Sequence, residues 1–403
     1  MKIMKIVFVS NTYWPSKNGV QMVNQYLAEG LVEKGHEVIV LTCQLKKKVL
    51  EEEVYNGVFI KRFDISYSRL RGYRGDIKSY QAYLKKLDDS GKMEVMITVC
   101  ANSFAGICTY PVMRHISAKK VIYNHGMRTG KINLDKITSF KSFAKEIICT
   151  MRDKIFYTKN WKYIIKYDEA IHLFYHDSSF EYFEKHGFKH NHVILNTCEK
   201  KLFSEIKSDV KNRNREIQEK YCLFNPYYVY IANFCVSKDQ QRAIDAFYRA
   251  DIQDIDLVLI GTEKNSYCDS LIRKVELLRK KNSNHGKVHI LFDIDRDDTI
   301  YILKESYACI MSSMNEYFPI TIIEAMAAGK PYISTNVGVV ACLPGGNIVH
   351  NTKELVYWLE FYAKNKKYVN DMGKVAFDYA KSNLLLEDKV EQLELILKQL
   401  FVN

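Results

Sequence analysis

What most constrains this chain is an alternation of short apolar runs with longer amphipathic ones that starts at its first residues. KIVFVSN, VQMVNQYLAEGLVEKGH and EVIVLT read as a strand, a helix closed by Gly35 and a second strand, the βαβ unit of a parallel sheet. Strand-like runs recur at 57–63, 94–100, 120–126, 169–175 and 192–197, enough for one doubly wound domain. Residues 198–225 are highly charged and lack strand character, as a connector or a solvated helix would. A second alternating series then runs from YYVYIAN (227–233) to KPYIST (330–335), and LEDKVEQLELILKQL closes the chain as an amphipathic helix. At 403 residues the chain exceeds what one core usually serves. The expectation is therefore α/β, with an N-terminal Rossmann-like domain over 1–200, a C-terminal one over 201–387 and a closing helix over 388–403. Ligands of such folds sit at the carboxyl ends of the strands, and two such domains facing one another make a cleft. Polar residues just after strands carry the information: 10–19, His125, 233–238, 261–264 and 312–321.

Composition narrows the setting. No run approaches the roughly 20 apolar residues of a membrane span, and MKIMKIVFVSN is too short in its apolar part for a secretion signal. The ten cysteines are scattered without a Cys-x-x-Cys pair and read as reduced, buried small hydrophobes, which places the protein in the cytoplasm. An excess of 59 basic over 47 acidic residues gives a net charge of +12 and favours anionic partners.

The stretch NEYFPITIIEAMAAGKPYIST (315–335) sets two glutamates around an apolar run. Pro319 suits the first turn of a helix and Gly329 its end, so ITIIEAMAA is expected to be a short buried helix of about ten residues. Glu316 precedes the first turn and Glu324 shares its face. A helix N-terminus attracts phosphate through free amides and its dipole, so two carboxylates beside it suit a ligand with hydroxyls and phosphates, a sugar nucleotide. The plainer alternative has Glu316 capping the helix and Glu324 bonding a neighbouring donor, since a buried carboxylate needs a partner.

EYFPITIIEAMAAGKPYISTNVG resembles the signature of the retaining glycosyltransferases of family 4, within glycosyl transferases group 1, whose fold is GT-B. Their motif places two glutamates with seven residues between them in E-G-F-G-x-x-x-x-E, followed by A-x-A-x-G-x-P. VSNTYWPSKNGVQMVNQYLAEGLVEKGHEVIVLT is similar to the family's opening strand, loop and helix. YIANFCVSKDQQRAIDAF is similar to its G-R-x-x-x-x-K-G loop and helix. The resemblance implies two Rossmann-like domains facing a cleft, with the closing helix packed back on the N-terminal one. It implies a donor nucleotide-diphosphate sugar held mainly by the C-terminal domain, with no metal ion or other cofactor. Glu316 would contact the donor sugar and Glu324 the ribose hydroxyls. Lys238 would neutralise the diphosphate as its charge grows on leaving. His125, in YNHGMR, would lie beside the donor sugar. Gly19 would let the first loop approach the diphosphate or acceptor, helped by tolerance of positive φ. Phe318, Pro319, Ile320 and Thr321 would complete the donor site.

Three positions depart from the family pattern. Asn233 stands in place of the arginine, Tyr317 in place of the first glycine and Pro319 in place of the second, which removes a backbone donor. Two Asp-x-Asp stretches, Asp254-Ile255-Asp256 and Asp293-Ile294-Asp295, read as solvated loops rather than a metal–nucleotide site. Residues 131–167 interleave lysines with Phe, Ile, Trp and Tyr. They suit either an in-plane helix on an anionic membrane or helices packed on the N-terminal domain with a basic outer face. No nucleic-acid recognition motif accompanies the charge. The function expected is retaining transfer of a hexosyl or N-acetylhexosaminyl unit to a saccharide or lipid-linked saccharide, in cell-surface polysaccharide or glycolipid synthesis at the inner face of the membrane. The alternatives are a non-catalytic nucleotide-sugar-binding subunit and a GT-B-type nucleotide-sugar epimerase or hydrolase.

Overall fold

Runs rich in Val, Ile, Leu and Tyr, buried on both faces, form the parallel strands, and the stretches between them form helices whose apolar stripe covers a sheet. The computed structural model describes residues 2–16, 18–43, 49–68, 71–128, 140–175, 177–204, 210–281 and 285–402. In chain order the elements are β1 (Lys5–Ser10), α1 (Gly19–Glu33), β2 (Glu37–Cys43), β3 (Glu52–Tyr55), β4 (Val58–Phe63), β5 (Ile65–Ser68), β6 (Gly72–Gly75), α2 (Ile77–Asp89), β7 (Val95–Val99), α3 (Phe104–Thr109), β8 (Lys119–Tyr123), α4 (Phe140–Ile164), β9 (Glu169–His172), α5 (Ser178–Lys185) and β10 (Asn191–Val193). There follow α6 (Val210–Tyr221), β11 (Tyr227–Ile231), α7 (Gln240–Arg249), β12 (Asp256–Gly261), α8 (Ser266–Lys281), β13 (Val288–Phe292), α9 (Arg296–Glu305), β14 (Ala308–Met311), α10 (Ile320–Ala327), β15 (Tyr332–Thr335), β16 (Gly346–Val349), α11 (Thr352–Lys364), α12 (Lys366–Asn383) and α13 (Leu386–Gln399).

The chain divides into two compact units, Met1–Asn196 with Leu386–Asn403, and Thr197–Leu385. In the first, eight strands run in the order β10-β9-β8-β7-β1-β2-β4-β3, parallel except for β3, which pairs antiparallel with β4. The chain leaves β1 toward β2 and β4 and returns to β7 on the other side, so the strand order reverses between β1 and β7. In the second unit, six strands run β13-β12-β11-β14-β15-β16, all parallel, and the order reverses between β11 and β14. Each reversal opens a crevice at the carboxyl ends of the two strands concerned, which fixes where a ligand enters each unit.

The closing helix α13 belongs to the first unit through its contact with α1. Gly30 of α1 makes the approach close: a Cβ there would stand 2.4 Å from Val390 Cγ2. Beside that contact, the buried Glu394 accepts from Lys34 Nζ at 3.0 Å and Lys398 Nζ at 2.5 Å. His36 Nδ1 accepts the Met4 amide at 3.1 Å, so the ring proton sits on Nε2, which donates to Glu394 at 3.2 Å.

Several expectations change. β3 went unseen because half of EEVY is acidic, and the hairpin β5–β6 because SYSRLRGYRG has too few apolar residues to read as strands. The strands expected at 169–175 and 192–197 stop early; after His172 the chain turns, with the Leu173 amide on Asp177 Oδ2. Asp256 is not a solvated loop residue: it is buried at the start of β12, holding His289 Nε2 at 3.0 Å and the Lys287 amide at 2.8 Å. Five cysteines are buried, but Cys222 and Cys342 are exposed; none is in a disulfide. Among the described residues no helix is long and apolar enough to cross a membrane.

Burial alone would raise the Glu394 carboxyl, but hydrogen bonds from Lys398, Lys34 and His36 outweigh it and hold it at about 2. Its folded value lies below the unfolded one, so its contribution is complete above the ordinary value near 4.5 and is lost as pH falls toward 2. Glu394→Gln is expected to cost about 2 kcal/mol near neutral pH and to flatten the acid limb of thermal stability between those values.

Candidate active site

In the second unit the residues expected to act fall at the reversal between β11 and β14. After β11 the chain passes through Asn233 to a short turn, Val236–Lys238, and Asp239 then takes a left-handed conformation (φ 48°) before α7. After β14 it passes through Ser312 and Ser313 to Glu316 and α10. The two loops are tied by backbone and side chain. The Met314 amide donates to the Ser237 carbonyl at 2.8 Å and Ser312 Oγ to the Asp239 carbonyl at 2.6 Å. Tyr230 Oη donates to the Lys238 carbonyl and lies 3.2 Å from Ser313 Oγ. This bracing brings Lys238 Nζ onto Glu316 Oε1 as a partly buried ion pair. An ammonium has three N–H donors, so two remain for an anion.

Helix α10 starts at Ile320, as expected of ITIIEAMAA, but Pro319 stands before its first turn rather than in it. Pro319 is its N-cap, with extended backbone (ψ 123°), and no side chain caps the helix. Glu316 therefore does not cap it. The first helical turn begins at Ile320, which leaves the amides of Ile320, Thr321 and Ile322 without an intrahelical acceptor and pointing out of the helix start. The Thr321 hydroxyl is spent on the Ile231 carbonyl at 2.9 Å, and Phe318 is buried. At the far end the Gly329 and Lys330 amides close on the Met326 and Ala325 carbonyls, so α10 has eight residues. Tyr317 is fixed through its backbone: its carbonyl accepts from Val339 at 2.9 Å, and Gly338 (φ 54°) lies so close that a Cβ would stand 2.0 Å from that oxygen.

Glu324, buried in the middle of α10, binds Arg296 Nη2 through Oε1. The same guanidinium donates from Nε to Glu199 at 2.7 Å. One arginine at the start of α9 thus holds two carboxylates, one from the charged connector and one from the apolar helix. No sequence pattern announces this pairing. The only signal was an arginine embedded in DIDRDDT, where Asp295 caps α9 by accepting from the Asp297 amide at 2.8 Å and Asp293 and Asp295 are exposed. Asn233, where the resemblance puts an arginine, accepts from Thr262 Oγ1 and is itself exposed.

His125 and Gly19 lie in the first unit. His125 follows β8 and is buried; Asn24 of α1 donates one amide hydrogen to its Nε2 at 3.4 Å and the other to the Val20 carbonyl at 2.6 Å. With Nε2 accepting, the ring proton lies on Nδ1. Buried beside it, Asn24 Oδ1 and Asn124 Nδ2 have no hydrogen-bond partner, leaving one acceptor and one donor for a polar ligand. Gly19 is the first residue of α1 with helical backbone, behind Asn18, whose side chain caps the Gln21 amide at 3.0 Å. The positive φ expected of Gly19 is not needed there. Among the described residues no cluster of three or more His, Cys, Asp or Glu is placed to hold a metal ion.

Two Rossmann-like units built on doubly wound sheets of this order are the architecture of the GT-B fold, which solved structures share. Residues 214–344 match the family model described as Glycosyl transferases group 1. Solved structures agree over the whole chain. A sucrose-phosphate synthase from Thermosynechococcus elongatus is 16% identical over 99% of each chain, with a TM-score of 0.72. Anabaena HepE, solved in complex with UDP and glucose, is 14% identical over 98% of this chain and 100% of its own, at 0.73. A glycosyltransferase from Rickettsia africae is 16% identical over all of both chains, also at 0.73. No curated protein matches the chain in sequence. Residues 214–344 are thus similar to the group 1 glycosyl transferases, and the chain as a whole shares the fold of the solved GT-B structures.

Two measurements test this geometry. Arg296→Met strips the partner from a buried carboxylate and is expected to destabilise the chain by about 3–5 kcal/mol in urea unfolding, with Glu324→Gln in the same chain restoring part of the loss. Burial pushes the His125 imidazole down to about 3 from the ordinary 6.5. The unfolded chain therefore takes up a proton that the folded chain refuses. Stability should fall by up to about 1.4 kcal/mol per unit as pH drops from 6.5 toward 3. His125→Gln should remove that component from the pH profile of unfolding.

Proposed function

We propose that the protein is a retaining glycosyltransferase that moves a sugar from a nucleotide-diphosphate sugar to a hydroxyl of a saccharide or lipid-linked saccharide. The observation that carries this reading is the Lys238–Glu316 ion pair at the β11–β14 reversal, beside the uncapped start of α10. A cation, a carboxylate and three amides of a helix start follow the two strands of this reversal, the groups that a ligand with phosphates at one end and hydroxyls at the other requires. Lys238 and the amides of Ile320 and Thr321 take the diphosphate. Glu316 accepts from the sugar hydroxyls, and Glu324, steadied by Arg296, offers Oε2 to the ribose.

In the step itself the bond from the anomeric carbon to the diphosphate oxygen breaks and the acceptor oxygen forms its bond on the same face. The acceptor proton passes to the departing phosphate oxygen. The negative charge left on the diphosphate is met by Lys238 and the α10 amides, so a metal ion is not called for. Asn233 adds no charge, and the cation for the diphosphate rests on Lys238. His125, neutral and already holding Asn24, serves the donor sugar as a hydrogen-bonding group rather than as an acid. HepE's complex with UDP and glucose makes UDP-sugars the first donors to try. The thiols, none of them paired, suit the cytoplasm, and cell-surface polysaccharide or glycolipid synthesis is the setting such a transfer would serve.

A panel of nucleotide sugars tests the proposal through release of nucleoside diphosphate, with and without saccharide acceptors. Release that requires an acceptor is expected, and Lys238→Ala and Glu316→Ala should each lower kcat by about a hundredfold or more. Release without any acceptor would favour an epimerase or hydrolase. Donor binding without release would favour a non-catalytic subunit.

A further inference from the structure

Helix α4 shows an outer side that neither the core nor the donor site explains. Its acids turn inward: Glu146 and Asp153 are buried, and Arg128 reaches both, at 2.6 Å and 3.4 Å. Between residues 143 and 166 no Asp or Glu is exposed, so every exposed ionised side chain is a lysine or an arginine. Among these cations stand Ile148, Met151 and Ile155, exposed at 67%, 58% and 63%. Their spacing of three and four residues sets them on one stripe of the helix. Lys154 and Lys159 flank the stripe with Thr158 around a shallow groove of about 340 Å³ at Ile155. Lys159 and Lys162 continue the same exposed side toward the helix end.

Arg152 is paired with Asp153 at 3.0 Å, but the exposed lysines of this side face no exposed acid, and three large apolar side chains in water among them form a surface with one chemical complement: apolar material behind a layer of negative charge. We propose that this side of α4 docks on an anionic lipid bilayer, the stripe entering the headgroup boundary and the lysines meeting the lipid phosphates. A protein partner with an acidic rim would need its own apolar patch. A second copy of this chain would bring lysines against lysines. Of the two readings open for residues 131–167, the helix packs on its unit and its free side faces lipid; 131–139 lie outside the described residues. This surface bears on the acceptor, since an enzyme held at a bilayer meets lipid-linked saccharides. It does not rest on the donor-site reading, because lipid binding needs no nucleotide sugar.

The test is co-sedimentation of the full chain with vesicles of phosphatidylcholine alone and of phosphatidylcholine mixed with phosphatidylglycerol. Binding is expected to the mixed vesicles only and to weaken with added salt. Ile148→Asp with Ile155→Asp, and separately Lys159→Glu with Lys162→Glu, should each weaken it about tenfold or more. All four residues are exposed, so unchanged thermal unfolding of both variants shows that the fold is intact. No binding to mixed vesicles, or binding that both variants keep, overturns the proposal. So does a dimer that sedimentation finds in the wild type and not in the isoleucine variant, which would assign the face to a second copy.

Discussion

A carboxylate inside an apolar helix needs a cation, and the arrangement of the second unit follows from how that need is met. Arg296 reaches Glu324 from the start of α9, which requires β13 to end where it does and Asp295 to cap the helix behind it. By holding Glu199 as well, the same guanidinium fixes the connector that begins this unit. Glu324 is thereby set at one depth of α10, and the open amides at the helix start stand a turn away from it. Glu324 and the open amides are thus spaced by a helix rather than by a loop, which makes their separation rigid.

Much of this was legible before any coordinates. Pro319 and Gly329 punctuate the chain on either side of ITIIEAMA, and alternating apolar runs determine a doubly wound sheet almost by themselves. What stayed hidden depends on residues far apart in sequence. Arg296 sits among aspartates and resembles a solvated charge until its two partners arrive from the connector and from α10. Asp256 looks like one of a pair of loop acids, yet the strand that follows draws it inward onto His289. The β5–β6 hairpin is polar on most of its length, so its strands carry no periodic signal and are made by backbone pairing. Gly19 shows the opposite error. A glycine in a loop-like run suggested an unusual backbone, and the helix simply begins there.

The ion pairs also show how a net charge of +12 is distributed. Acids are drawn inward as counterions, Glu146 and Asp153 to Arg128, Glu394 to Lys34 and Lys398, Asp298 to Arg213 and Lys220. The surface is left with the unspent cations, and over α4 that leaves no acid at all. A charge excess read from composition alone says nothing about location. Here its location follows from which carboxylates the interior has recruited.

The placing of α13 has a consequence for how the chain is made. The first unit is discontinuous, with residues 1–196 completed only by the stretch that begins at Leu386. As the chain leaves the ribosome, the whole second unit is synthesised while the α1 surface around Gly30 still lacks Val390 and the Glu394 carboxylate. The second unit has no such gap, since Thr197 near its start donates to the Leu384 carbonyl near its end. The order of synthesis and the order of completion are therefore reversed: the unit translated first is the last to close, and an apolar helix face stays open to chaperones for the longest time.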